Sequence, residues 1–240
     1  MPVVACKCKA CLSENSKDKR LRSSVMIETD GNVFVIDTGP DFRQQMLRTN
    51  TENLTAILFT HEHKDHIAGL DDIRAFNYIL KRSIDIYARE RVIKALKREF
   101  LYIFEEDKYP GVPDITIHKM NGQPLNINGT AIIPIEVMHY KLPVFGFRIK
   151  DFTYITDANY ISPESKNKIF GSKVLAINAL RRKKHISHFS LQESIDIMNE
   201  IRPECGFFTH ISHQLGLHEE LNQELPDFIS LAYDGLYINL

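Results

Sequence analysis

Short apolar runs separated by turn-forming residues dominate the first quarter of the chain. Residues 24–28 and 33–37 are rich in apolar and β-branched side chains, and the Asp30-Gly31 pair between them is typical of a tight hairpin turn. The run Ala56-Ile57-Leu58-Phe59 has no polar position and predicts a buried strand. The pattern therefore predicts a hairpin followed by a strand inside a sheet.

Helical spacing of apolar residues appears in three stretches. Residues 72–81 and 89–104 carry apolar side chains at intervals of three and four. Ser190 and Glu193 have the spacing of a capping box, in which each side chain bonds the backbone of the other residue. A helix is therefore predicted from about Leu191 to Ile201.

The other apolar stretches are predicted as strands, so strands outnumber helices. They cover residues 84–88, 115–119, 131–138, 145–149, 152–155, 173–177 and 204–209, and a last hairpin is predicted around Asp234-Gly235. The class is mixed α+β. No low-complexity linker or repeat period divides the chain, and we expect one domain over residues 1–240.

The composition is that of an ordinary soluble domain. Of the 240 residues, 43% are hydrophobic and 25% are charged, and the net charge of −1 shows no basic excess of the kind that gathers nucleic-acid phosphates. The sequence shows neither a signal-peptide run nor the ~20 apolar residues that cross a bilayer. We therefore expect a cytoplasmic protein with a small-molecule substrate and no nucleic-acid or membrane partner.

Three imidazoles and a carboxylate directly follow the buried strand, in the segment His61-Glu62-His63-Lys64-Asp65-His66. Neither a helix nor a strand aims all four of these ligand side chains at one point, because their spacing fits neither period. A loop that turns just after the strand does so. Imidazole and carboxylate are common ligands of transition metals, so the segment predicts a metal site.

Three of the four cysteines also lie close together, as Cys6-x-Cys8-x-x-Cys11. Three thiols at this spacing in a cytosolic chain indicate metal binding rather than disulfide bonds. Cys205 lies alone in an apolar, strand-like stretch, and we expect it to pack as a small buried side chain without a functional role.

The pattern His-x-His-x-Asp-His after a strand resembles the metallo-β-lactamase superfamily. The resemblance implies an α+β fold of the four-layer αββα sandwich type that holds two metal ions. It also implies further ligands, each after an apolar run. By the resemblance, one metal is held by His61, His63 and His139, the other by Asp65, His66 and His210, and Asp157 bridges the pair.

Asp37 ends the second strand of the predicted hairpin. An aspartate at this place in the superfamily braces the metal loop by hydrogen bonds, and Asp37 matches it. On the residues alone, Asp37 is equally explained as a turn residue that caps a helix starting near Asp41.

Further motifs narrow the resemblance to the PhnP-like group of phosphoribosyl cyclic phosphodiesterases. These motifs are the N-terminal cysteines, His188-x-Ser190-Leu191, the segment Thr209-His210-Ile211-Ser212-His213-Gln214 and the ending Tyr233-Asp234-Gly235. The resemblance implies that Cys6, Cys8, Cys11 and His213 bind one structural zinc in a closed tetrahedral set. It also implies that His188 is the general acid, and we expect His188 and Asp65 to be the catalytic residues.

Two features near His188 have simpler explanations as well. A histidine just before a helix is often only a solvated cap, and the basic run of residues 181–184 is either a solvated loop or an attractant for an anionic substrate.

The chain departs from the group at its beginning, because Cys6 follows Met1 by only a few residues. Either the given sequence starts later than the natural protein, or the first N-terminal strand of the fold is absent. A neighbouring strand edge would then be exposed to pair with a second copy, which predicts a homodimer.

The implied function is metal-dependent hydrolysis of a small phosphate ester, including cyclic phosphodiesters. Two divalent ions, whether zinc, manganese or iron, would activate water, so the protein needs no nucleophile of its own. Three other functions use the same ligands: an RNase Z-like RNA phosphodiesterase, a thioester hydrolase resembling glyoxalase II, and a PqqB-like member without hydrolytic activity.

Overall fold

The protein is described by a computed structural model that covers residues 1–240 and contains two β-sheets and nine α-helices. The helices are α1 (Lys9–Leu12), α2 (Phe42–Arg48), α3 (Lys64–Ile67), α4 (Arg74–Leu80), α5 (Glu90–Glu99), α6 (Leu101–Phe104), α7 (Pro163–Ile169), α8 (Leu191–Ile201) and α9 (His218–Asn222). The strands are β1 (Val25–Thr29), β2 (Asn32–Ile36), β3 (Ala56–Leu58), β4 (Ile84–Ala88), β5 (Ile115–Lys119), β6 (Leu125–Ile127), β7 (Thr130–His139), β8 (Leu142–Ile149), β9 (Phe152–Ile155), β10 (Val174–Asn178), β11 (Cys205–Thr209) and β12 (Ile229–Leu231). None of the helices is long and apolar enough to cross a membrane.

The first compact unit comprises residues 22–123 and 127–130. Its five strands are ordered β1-β2-β3-β4-β5, with an antiparallel β1–β2 hairpin and parallel pairs from β2 to β5. Side chains from alternate strand positions, such as Ile57 and Ile86, form a core with Phe42 of α2, Phe76 of α4 and Val92 of α5. The carboxyl ends of β2 and β3 therefore lie at one edge of the sheet.

The second compact unit comprises residues 1–21, 124–126 and 131–240. Its seven-stranded sheet has the order β12-β11-β10-β9-β8-β7-β6. Strands β9 to β12 are parallel, and β8 is antiparallel to both β7 and β9. The carboxyl ends of β7, β9, β10 and β11 consequently share one edge, and residues such as Leu175, Ile197 and Phe208 form the core.

Most predicted elements are present, and the capping box is confirmed. Ser190 caps α8, and its side chain and that of Glu193 bond each other's backbone, which starts the helix where the sequence predicts. The predicted helix 89–104 is broken at Phe100, which leaves the helical conformation with φ −121° and ψ 47°. Because Phe100 itself is buried, the break keeps the apolar pattern intact and periodicity alone does not reveal it.

The last predicted hairpin is wrong. Residues 234–235 do turn, with Gly235 at φ 86°, but no strand follows them. The preceding strand β12 pairs in parallel with β11, and Asp234 Oδ2 accepts a hydrogen bond from the Leu21 amide. The short elements β6, α7 and α9 were not predicted, although Ser162-Pro163 is a helix-start signal for α7. The first strand along the chain is β1, which begins at Val25.

Candidate metal centres

The histidine-rich loop begins where β3 ends in the first unit. Thr60 and His61 are buried, and His63 has extended backbone (φ −63°, ψ 148°) just before the short helix α3. Strand, turn and helix thus follow one another within a few residues. The predicted loop that turns directly after the strand is confirmed.

Asp37 holds this loop from the end of β2. Its Oδ1 accepts the Thr60 amide at 2.8 Å, and its Oδ2 accepts the Thr60 hydroxyl and lies 2.7 Å from His66 Nδ1. Asp37 is fully buried, which raises the pKa of its carboxyl, and the adjacent His66 opposes that rise. The bracing role expected for Asp37 is therefore present. The cap position of α2 is occupied by Asp41 instead.

The bracing contacts fix which ring nitrogen of each histidine is available as a ligand. The Thr60 hydroxyl donates its hydrogen bond to Asp37 and lies 3.0 Å from His61 Nδ1. Because its one hydrogen is already used, its oxygen accepts a hydrogen bond from the Nδ1–H of His61. His66 Nδ1 likewise donates to Asp37. In both neutral rings Nε2 is then the unprotonated atom, which is the form that binds a metal.

The four predicted ligands of the loop lie close to one another. His61 Nε2 lies 3.0 Å from His63 Nδ1, close to the edge of about 3.3 Å between two nitrogens on one tetrahedral zinc. Asp65 Oδ2 lies 3.7 Å from His66 Nε2. His61 and His66 also lie together, with ring centroids 4.2 Å apart, so all four side chains meet in one place.

Helix α5 contacts Glu62 and Lys64, the two loop residues that lie between predicted ligands. Arg91 Nε donates to Glu62 Oε1 at 2.8 Å, and Lys64 forms an ion pair with Glu99. Val92 and Leu96 anchor α5 in the core. The loop is thus tied on its non-ligand side to a buried helix.

In the second unit, the remaining predicted ligands follow strand ends at the shared carboxyl edge. His139 ends β7, Asp157 lies two residues beyond β9, and His210 directly follows β11. Asp157 and His210 have positive φ values of 53° and 50°, which are uncommon outside glycine and recur at functional sites. The carboxyl edge of a sheet with parallel strands is where such proteins bind ligands.

Asp157 is the centre of this group. Its Oδ1 lies 2.9 Å from His188 Nε2 and 3.3 Å from His210 Nε2. His139 Nδ1 donates to the Ser187 carbonyl at 2.8 Å, which leaves its Nε2 as the atom available to a metal. Burial lowers the pKa of both His139 and His188, against the opposing effects of the Ser187 carbonyl and the Asp157 carboxylate respectively. His139, Asp157 and His188 have ligand atoms close enough together to hold one ion.

The loop before α8 therefore has two roles in this unit. It presents His188 to Asp157, and through the carbonyl of Ser187 it orients His139. The sequence did not reveal Ser187, because a backbone acceptor leaves no trace in residue type. His185 was missed too, although its Nδ1 lies 3.2 Å from His188 Nδ1.

The basic run before His188 is mostly engaged within the protein. Arg181 donates to the carbonyls of Lys183 and Lys184, Arg182 forms a two-oxygen ion pair with Glu224, and Lys184 lies 3.6 Å from a Glu193 carboxylate oxygen. These contacts support the loop explanation for the run.

The three clustered cysteines meet His213 in the second unit. The sulfurs of Cys6, Cys8 and Cys11 lie 3.3, 3.4 and 3.5 Å from the same atom, His213 Nδ1. One ring nitrogen cannot hydrogen-bond three thiols at once. The distances instead match the sulfur–nitrogen edge of a zinc tetrahedron, about 3.5 Å for zinc–sulfur bonds near 2.3 Å and zinc–nitrogen bonds near 2.0 Å.

At Cys8 the local environment also favours the thiolate form. The Cys11 amide and the His213 ring hydrogen-bond the Cys8 sulfur and lower the pKa of Cys8 to about 6, whereas desolvation raises the pKa of Cys11. The donor set of three sulfurs and one imidazole fits zinc. Cys205, by contrast, is exposed, so the expectation of a buried side chain there is wrong.

Comparison with known families decides the class. The sequence model described as Beta-lactamase superfamily domain matches residues 32–211. The chain belongs to the metallo-β-lactamase superfamily. The α+β fold of the metallo-β-lactamase type expected from the sequence is thereby confirmed.

Two relatives of this metallo-β-lactamase protein align along nearly all of it. The crystal structure of a diphosphatase from the PhnP family is 38% identical, with a TM-score of 0.91, and the match covers 98% of this chain and 90% of that one. The chain thus belongs to the PhnP family within the superfamily. The octanoyltransferase of Porphyromonas gingivalis is 36% identical over 239 residues, 98% of this chain but only 48% of that protein. The chain therefore spans about half the length of that relative.

A more distant metallo-β-lactamase relative is ribonuclease Z of Mycobacterium marinum. It is 23% identical over 197 residues, which cover 74% of this chain and 71% of that protein.

Proposed function

We propose that the protein is a metal-dependent phosphodiesterase that acts on a small phosphate ester or anhydride. Seven residues would hold its two divalent ions, namely His61, His63, Asp65, His66, His139, Asp157 and His210. Membership of the PhnP family and its diphosphatase member support the reaction class.

One observation carries the proposal that these residues bind metal. Three of the predicted ligand histidines have a hydrogen-bond acceptor at Nδ1. The acceptors are Thr60 for His61, Asp37 for His66 and the Ser187 carbonyl for His139. A hydrogen bond at the second ring nitrogen is the usual support of a metal-binding imidazole. A histidine cluster without such a role has no reason to share this arrangement three times.

When bound, two divalent ions lower the pKa of water towards neutrality and neutralise charge on a phosphoryl oxygen. The chain's own contribution would come from His188. Its Nε2 faces Asp157 Oδ1, and a proton held at Nε2 could pass to the oxygen of a departing alcohol. We assign His188 the role of general acid on this basis.

A second site would be structural. Cys6, Cys8, Cys11 and His213 form a closed set of four ligands, and zinc bound there would tie the N-terminal segment to the strand end that carries His210.

One observation favours a second candidate function, acyl-thioester hydrolysis. The octanoyltransferase relative is named for transfer of an octanoyl group and matches this chain from end to end. An octanoyl thioester is therefore the acyl substrate to test.

The proposal is tested with metal-reconstituted protein and a substrate panel. The panel contains bis-p-nitrophenyl phosphate, cyclic ribose and nucleotide phosphates, ADP, a transfer-RNA precursor, and octanoyl and glutathione thioesters, each repeated with metal-free protein. We expect metal-dependent turnover of the small phosphates. Turnover of the thioesters alone would replace the proposal by the second candidate, and turnover of the RNA alone would indicate an RNase Z-like enzyme.

A further inference from the structure

Arg22 is held by its backbone beside the metal loop of the first unit. Its amide donates to Asp41 Oδ2 at 2.8 Å, and its carbonyl accepts from Gln45 Nε2 at 2.7 Å. Gly39 lies between Arg22 and the loop, and a Cβ there would be 2.4 Å from the Asp65 carbonyl oxygen. The absence of a side chain at Gly39 thus lets Asp65 approach, and the start of α2 fixes the position of Arg22.

The Arg22 guanidinium is much less engaged than its backbone. Its hydrogen-bonding contact is one long approach, 3.5 Å from Nη1 to Asp65 Oδ2, and 40% of the side chain is exposed. An arginine has five N–H donors, and strong carboxylate pairs lie at about 2.7–2.9 Å. Most of the donors of Arg22 therefore have no acceptor within the protein, beside the Asp65–His66 pair.

Other arginines of the chain show the contrast. Arg148 donates to four backbone carbonyls, and Arg82 donates to the carbonyls of Leu54 and Ser83. These guanidiniums support the fold. The guanidinium of Arg22 hydrogen-bonds no helix or strand backbone, although the amide and carbonyl of Arg22 are both hydrogen-bonded.

We propose that Arg22 binds a second, non-scissile phosphate of the substrate, so that the enzyme prefers organic diphosphates to singly charged phosphodiesters. This inference rests on the proposed function, because it concerns substrate binding at the same metal loop. The planar guanidinium of an arginine can bind two phosphate oxygens at once. A metal ion on Asp65 would share the charge of that carboxylate, which weakens the long Arg22–Asp65 contact and leaves the guanidinium for the substrate.

Arg22→Gln and Arg22→Lys test the proposal, with Arg43→Gln as the control. Arg43 lies exposed on α2 and, unlike Arg22, has no contact with Asp65, so its loss removes the same charge without that contact. KM is compared for ADP and for bis-p-nitrophenyl phosphate. We expect Arg22→Gln to raise KM for ADP at least ten times more than KM for the diester, since a hydrogen bond to a charged group contributes about 1.5–3 kcal/mol. Arg22→Lys should recover part of the loss, and Arg43→Gln should match the wild type.

Calorimetric binding of inorganic pyrophosphate and metal content by plasma emission separate the other outcomes. We expect the pyrophosphate Kd to rise at least ten-fold in Arg22→Gln with the metal content unchanged. Equal effects on both substrates, or loss of metal, would show that Arg22 only positions Asp65 and would overturn the proposal. If the wild type hydrolyses neither phosphate, the proposed function fails, and an unchanged or unmeasurable pyrophosphate Kd would then also reject the role of Arg22.

Discussion

Asp37 Oδ2 lies 2.7 Å from His66 Nδ1, and both side chains are buried. The pair joins the end of β2 to the loop after β3, two neighbouring strands of one sheet. Asp37 has a positive φ of 65°, an uncommon conformation for this residue type. Its hydrogen bonds to Thr60 and His66 compensate for that cost and orient one of the predicted metal ligands.

Replacing Asp37 by asparagine should weaken metal binding by ~10–100-fold, the usual effect of losing the partner of a ligand imidazole. Asparagine tolerates positive φ and keeps the side-chain shape, so the backbone should be preserved. Chelator competition measures the affinity. Asp107→Asn, at an exposed position, controls for charge. Unchanged affinity would show that the carboxylate does not support the His66 ligand.

Cys8→Ser should release one zinc per chain. It should also lower Tm by roughly 5–10 °C. This corresponds to a loss of about 2.5 kcal/mol in the free energy of unfolding, at about 2–4 °C per kcal/mol for a chain of this length. The metal near His210 should bind more weakly as well, because His213 lies three residues beyond it. Plasma emission and thermal unfolding measure these effects.

Cys205→Ser is the matched control, because it removes an exposed thiol outside the cluster. A metal-to-protein ratio that stays the same in Cys8→Ser and the wild type would reject the structural zinc.

His188→Ala should retain the metals and slow turnover by ~10²–10⁴ for esters with poor leaving groups. A good leaving group needs no protonation, so p-nitrophenyl esters should be affected much less. Turnover is measured for a p-nitrophenyl ester and an alkyl ester of the same phosphate. Equal loss for both would contradict a proton-donating role.

Acid should destabilise the protein partly through His218. Arg20 Nη2 lies 2.7 Å from His218 Nδ1, and burial, followed by the charges of Arg20 and Lys17, lowers the pKa of His218 from 6.5. The unfolded chain therefore takes up this proton first as the pH falls. The contribution of neutral His218 to stability is complete above about pH 6.5 and is lost as the pH falls through the folded-state pKa.

Urea unfolding of metal-free protein between pH 7.5 and 5 measures this contribution. His218→Gln should be less stable than the wild type at pH 7.5 and should lose less stability on acidification. Parallel pH curves for the two proteins would show that His218 does not cause the acid sensitivity.

The sequence by itself determined those helices, turns and strands that neighbouring residues specify. The capping residues of α8, the Asp30-Gly31 turn and the apolar run of β3 each specify a structure through their nearest neighbours. The histidine-rich segment was equally visible, because its predicted ligands are concentrated within six residues.

Tertiary structure decided the contacts between residues far apart in the chain. Periodicity did not reveal the break at Phe100, because Phe100 is itself buried and the apolar spacing continues from α5 into α6. Nothing near Asp234 specified that β12 would pair in parallel with β11, which removed the predicted hairpin. Cys205 has the apolar neighbours of a buried strand, yet it lies exposed at the strand's beginning.

The contacts that support the predicted metal ligands also join residues far apart in the chain. Ser187 orients His139 through a backbone carbonyl, Arg22 reaches Asp65 across 43 residues of sequence, and His213 meets cysteines about 200 residues away. Residue type alone indicated which side chains can bind a metal. Which atom of each one does so depends on hydrogen bonds between distant segments, and only the folded chain brings those segments together.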